Sequence, residues 1–166
     1  IILEDDCLPH PSFFPFCQKM LEKYRNDKRI MMICGTNYLL DRYKTKYSYI
    51  FSRYFPVWGW ATWKRAWAKY DINMKNWPVY KKENRLAKFY PQKYMVQKMT
   101  GMFDKAYKDK VDTWDIQWAY SCLFNNGLSI IPKLNLISNI GSEGTHASGG
   151  TVYNFLQTFA LNSSKM

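Results

Sequence analysis

Three carboxylates stand in a row at Glu4-Asp5-Asp6, directly after the apolar run Ile1-Ile2-Leu3 and shortly before Pro9-His10-Pro11. Like charges this close repel, and either a cation or protonation relieves the repulsion. Carboxylate oxygens in that number suit Mg2+ or Mn2+, which keep coordination positions open for phosphate oxygens. A solvated acidic turn is the competing reading, and the residues alone leave the two evenly balanced. A second constellation is Thr113-Trp114-Asp115-Ile116-Gln117-Trp118. On a helix it puts Asp115 and Trp118 on one face at i, i+3, and Trp114 next to Trp118 at i, i+4. A carboxylate beside flat rings can hold a sugar and accept the proton of an attacking hydroxyl. The plainer alternative makes both rings core and Asp115 a first-turn acid favoured by the helix dipole. Trp58-Gly59-Trp60 sets a residue without a side chain between two large rings, which suits either close approach of a ligand to the backbone or aromatic core packing. His146, in the loop Gly144-Thr145-His146, is more simply a surface histidine than a metal ligand.

The elements that must position these residues follow from periodicity. Ile1-Ile2-Leu3 is expected to be a short buried strand whose C-terminal end carries the acids. Phe13, Phe16, Cys17, Met20, Leu21 and Tyr24 recur at helical spacing from Ser12 to about Asn26-Asp27, with Pro15 tolerable in the first turn. Arg29 to Cys34 has the composition of a second strand, closed by Gly35-Thr36-Asn37, so the opening reads strand, helix, strand in a parallel crossover. A short strand is expected around Tyr49-Ile50-Phe51, and a helix in the second part of the run from Trp58 to Trp67. Two polar-faced helices broken near Pro91 are expected over 81–110. Thr113 is placed to cap a helix over 114–126 ended by Asn126-Gly127, and Leu128 to Pro132 resembles a buried strand.

Composition bounds the partners. The chain has 166 residues, enough for one domain with one core, and it is 47% hydrophobic and 18% aromatic. Rings in that excess suggest a surface that stacks on a ligand. A net charge of +11 favours an anionic partner: a nucleic acid, a membrane surface or a phosphorylated small molecule. Cys7, Cys17, Cys34 and Cys122 lack paired C-x-x-C spacing and are expected to be reduced core residues of a cytosolic protein. No apolar run approaches the ~18 residues needed to span a bilayer. The expected location is cytoplasmic, with peripheral membrane association compatible with the charge.

Ile2-Leu3-Glu4-Asp5-Asp6 followed by Pro11-Ser12-Phe13-Phe14-Pro15-Phe16 resembles the acidic-motif segment of nucleotide-sugar glycosyltransferases with the A-type fold, near the N-acetylglucosaminyltransferase I-like enzymes and the bacterial hemolysin-like group. The blocks from Tyr54 to Trp63 and from Asp112 to Trp118 are similar to later blocks of that bacterial group, in the same order. The resemblance implies an α/β fold, the second half of a Rossmann-like mixed-sheet enzyme with aromatic-rich helices. It also implies that a nucleotide-binding half is missing before Ile1, so that exposed sheet edges favour self-association.

By the same resemblance, Asp6 ligates Mn2+ or Mg2+, with His146 completing the metal shell or contacting the diphosphate. Glu4, Asp5, Gly59 and Trp60 contact the donor, Trp114 and Trp118 the acceptor, and Asp115 is the general base of an inverting transfer, with Asp112 in reserve. The implied partners are a nucleotide-sugar donor and a carbohydrate or glycan acceptor, as in cell-surface polysaccharide biosynthesis, and no nucleic acid. A non-catalytic carbohydrate- or phosphate-binding module with a structural cation is the alternative. A basic nucleic-acid-binding domain rests on charge alone, and no nucleic-acid motif accompanies it.

Overall fold

The computed structural model describes residues 1–39, 44–108, 111–141 and Thr158. Its centre is a four-stranded mixed sheet built from β2 (Ile30–Cys34), β3 (Tyr49–Ser52), β4 (Trp60–Ala61) and β5 (Leu128–Pro132), in the order β3-β5-β2-β4. Strands β2 and β5 are parallel, while β3 and β4 run antiparallel to their neighbours at the two edges. A separate antiparallel pair joins β1 (Cys7–Pro9) to β6 (Ile137–Asn139).

Ile1-Ile2-Leu3 departs from its expected form. Only Ile2 pairs, as an isolated antiparallel bridge to Trp60, and Ile1, Ile2 and Leu3 are exposed rather than buried. The reason is the brevity of β4: Gly59 at φ +55 precedes it and α2 (Lys64–Trp67) follows closely, so a neighbouring segment finds little ladder to extend. The direction still agrees with a crossover. Ile2 runs antiparallel to β4 and β4 antiparallel to β2, so the opening segment runs the same way as β2, with one strand between them. The acids therefore sit in a turn, closed by Cys7 N donating to Glu4 O at 3.1 Å, and regular strand begins only after them at β1.

Helix α1 (Phe13–Lys23) covers one face of the sheet. Phe13, Phe16, Cys17 and Met20 pack on Ile30, Ile33, Ala61, Ile130 and Ile137, as helical spacing of the apolar residues requires. His10 shapes its start: the Nδ1 atom accepts from Ser12 N and the carbonyl from Phe13 N. Arg65 closes its end by donating to the carbonyls of Tyr24, Arg25 and Ile30, with the guanidinium 4.3 Å from the Trp63 ring centroid.

The opposite face carries α2, α3 (Trp77–Lys82), a 3-10 turn (Arg85–Lys88), α4 (Lys93–Tyr107) and α5 (Asp115–Phe124). Trp77, Leu86, Met99, Phe103, Trp118 and Leu123 pack there against Met31, Met32, Cys34 and Ile131. A register shift between Ile30 and Met32 accounts for adjacent residues Met31 and Met32 joining the same layer, since a bulge interrupts strict alternation. Pro91 separates the 3-10 turn from α4, and Asn126 at φ 55 with Gly127 follows α5, both as composition predicts. The four cysteines are buried and free. No helix among the described residues is long and apolar enough to cross a membrane.

Candidate functional site

The sheet brings the two acidic constellations together. Ile2 is pinned to Trp60 by reciprocal backbone bonds of 2.7 and 3.0 Å, and the Trp60 ring stacks on Trp114 with centroids 5.6 Å apart and planes at 21°. Trp114 precedes α5, so this stack sets the start of that helix beside the Glu4 turn. The Trp114 side chain and the charge of Asp115 both act on the Glu4 carboxylate, the first lowering its pKa and the second raising it. Burial is the largest cause of the raised pKa of Glu4. The charges of Asp6, Asp115 and Asp5 add to it, and the Trp114 side chain opposes it.

Asp6 is held from several sides. Its Oδ2 accepts from Asn139 Nδ2 at 2.9 Å, its Oδ1 lies 3.6 Å from the Cys7 thiol, and its carbonyl accepts from Ile140 N at 2.8 Å. Gly141 lies against it: a Cβ there would stand 2.6 Å from Asp6 Oδ2, so any larger residue would make the carboxylate shift. Asn139 and Gly141 were not singled out by sequence, and the one signal for them is the small-residue stretch that begins at Gly141.

Ligand atoms of Glu4, Asp6 and Cys7 lie within 4.8 Å of one another. The two carboxylates fit a hard divalent cation; the thiol does not. Burial pushes the Cys7 thiol up to about 11, so at neutral pH it is protonated and donates weakly to Asp6. Asp5 is exposed beside the pair.

Asp115 is oriented rather than loose. Its Oδ1 accepts from Thr113 Oγ1 and, at 2.8 Å, from Ile116 N. Thr113 thus braces Asp115 instead of capping the helix through its own side chain. Tyr70 donates to the Trp114 carbonyl at 3.3 Å, and burial, followed by the Asp115 charge, raises its pKa.

Several expected contacts belong to the core instead. Trp118 is 0% exposed and Trp60 1%, so neither has a face to offer an acceptor or a donor. The cause is packing: Trp60, Trp67, Trp114 and Trp118 form one aromatic cluster between β4 and α5. Gly59 is also buried. Its φ of +55 and a would-be Cβ 2.3 Å from Ile137 Cδ1 explain the glycine by backbone and core geometry, without a ligand. Trp114 keeps partial exposure and remains able to border a bound molecule. Asp112 is exposed, and no contact among the described residues ties it to the acids. His146 lies outside the described residues.

Open aromatic surface lies elsewhere on the sheet. Tyr38, Leu39, Ile50, Tyr54, Pro56 and Ile131 line a groove of about 350 Å³. Ile50, Ser52 and Ile131 belong to β3 and β5, so the groove runs along that side of the sheet, whereas Ile2 leads into the acids beside β4 at the opposite edge. Comparisons with protein families, with curated proteins and with solved structures found no match for this chain.

Proposed function

We propose that the chain carries the acid cluster of a metal-dependent glycosyltransferase with a Rossmann-like mixed sheet, which moves a sugar from a nucleotide-diphosphate donor to an acceptor hydroxyl with inversion. One observation carries this reading: Ile2, from the first block of the resemblance, is bonded to the Trp60 backbone of the second, and the Trp60 ring stacks on Trp114 of the third, next to Asp115. An incidental acidic turn gives no reason for a braced carboxylate from a distant helix to add to its repulsion.

In this reading Glu4 and Asp6 hold Mn2+ or Mg2+, which supplies Lewis-acid screening of the leaving diphosphate. Asn139 and Gly141 fix the Asp6 carboxylate, so it needs little rearrangement when it binds. Thr113 and Ile116 N occupy Asp115 Oδ1, leaving Oδ2 to take the acceptor proton. Partly exposed Trp114 borders the site and offers the ring surface for the acceptor that buried Trp118 cannot.

The test is sugar transfer or donor hydrolysis by the full chain across a panel of nucleoside-diphosphate sugars with Mn2+, using wild type, Asp6→Asn and Asp115→Asn. Metal-dependent turnover lost in both variants supports the assignment. Binding of Mn2+ and glycan with no turnover on any donor overturns it in favour of a binding module.

A further inference from the structure

Helices α3 and α4 and the 3-10 turn between them present a cationic outer surface that the acid cluster does not use. All three pack on one another and bury Trp77, Leu86, Met99, Phe103 and Ala106 in a common core, so their remaining residues form the outside of one layer. Lys82, Lys88, Lys93, Lys98, Lys105 and Lys108 are exposed there. The described acids of this layer are already engaged: Asp104 with Lys81 at 2.6 Å and Trp77 Nε1 at 3.0 Å, and Glu83 with Arg85 at 2.5 Å. The outward stripe of α4 runs Tyr94, Lys98, Gly101, Lys105 at helical spacing, with Lys108 following at its C-cap, and a Cβ at Gly101 would meet nothing within 4 Å. Tyr94 is 65% exposed and Val79 on α3 52%, placing an aromatic and an aliphatic side chain among the lysines.

We infer that this face docks on an anionic lipid surface. Charge complementarity carries the choice: the layer adds cations without countercharge to a chain of net charge +11, and they are spread over α3, the 3-10 turn and α4 rather than gathered at one point. The cations are mainly lysines, point charges with long apolar stems that suit a diffuse negative potential, whereas forked guanidinium contacts suit individual phosphates. Arg85, the arginine in this layer, is held by Glu83 and stacks 4.3 Å over the Tyr80 ring. Exposed Tyr94 and Val79 supply the shallow apolar insertion that an interfacial helix adds to its charge. The inference stands apart from the proposed chemistry, since none of these residues touches the acid cluster among the described contacts.

The experiment is flotation of the full chain with vesicles of phosphatidylcholine alone, or with about a third phosphatidylserine, a composition that generates the negative surface potential lysines respond to. The expected result is binding to the anionic vesicles only, lost at high salt. Lys88→Gln/Lys98→Gln/Lys105→Gln should weaken it on the order of a hundred-fold, and Tyr94→Ser should weaken it as well. The control Lys28→Gln/Lys44→Gln/Lys133→Gln, exposed positions elsewhere, should leave binding within a few-fold of wild type. Unchanged thermal unfolding of each variant shows that the fold is retained. Equal weakening by both triple variants overturns the proposal, as does equal binding to neutral vesicles, or salt-sensitive binding to a single-stranded oligonucleotide with none to vesicles.

Discussion

Trp114 stacks on Trp60, whose backbone is bonded to Ile2, and in doing so ties the start of α5 to the segment that leads into the acids. Burial and three neighbouring carboxylates raise the pKa of Glu4, the Trp114 side chain lowers it, and the raising causes win. Charge is thus concentrated at a place where the fold gains nothing from it.

Glu4→Gln is accordingly expected to stabilise the metal-free protein at neutral pH. The folded pKa lies above the ordinary value of 4.5, so the folded state binds this proton more tightly than the unfolded state. The associated stability is fully present below 4.5 and is lost as pH rises through the folded value. Urea midpoints measured across pH should show the variant ahead of wild type at pH 7 and level with it in acid. A variant less stable than wild type at pH 7 would contradict the electrostatic account.

Mn2+ should reverse that ranking. At a hundred times its dissociation constant a cation that binds only the folded state adds about 2.7 kcal/mol, visible as a rise in the thermal midpoint of wild type. Asp6→Asn and Glu4→Gln should each lose most of the rise. Gly141→Ala should reduce it without unfolding the chain, because the new Cβ displaces the Asp6 carboxylate.

Gly59→Ala is expected to destabilise by about 2–4 kcal/mol, combining a left-handed backbone position with overpacking. The added Cβ would meet Ile137 Cδ1 at 2.3 Å and Cγ1 at 2.6 Å. Ile137→Ala in the same chain should recover the packing share and leave the backbone share, which a double-mutant comparison by urea unfolding can separate.

Trp118→Ala should cost about 3–5 kcal/mol, as expected for a large ring lost from a packed core. If the proposed transfer holds, acceptor affinity per folded molecule should change little, because Trp118 is fully buried. A change in acceptor KM with stability unaltered would restore the residue to the binding surface.

Helix α1, strands β2, β3 and β5, the break at Pro91 and the end of α5 were all legible in sequence, because apolar spacing and turn residues act over a few positions. Ile1-Ile2-Leu3 was not: its apolar content reads as a buried strand, yet its pairing depends on how much of β4 is available beside it. The tryptophans failed similarly, since Trp58-Gly59-Trp60 looks the same whether its rings face a ligand or one another.

By itself the sequence determined the chemical inventory: an acid triplet, a carboxylate flanked by rings, a lysine excess and the local elements that carry them. Tertiary structure alone decided that Asp115 and Glu4 share one electrostatic neighbourhood, that Asn139 and Gly141 hold Asp6, and that Trp60 and Trp118 are core. The physical reason is range. Periodicity and turn chemistry report interactions between close neighbours in the chain, whereas burial, coulombic coupling and ring stacking depend on which distant segments the sheet places side by side.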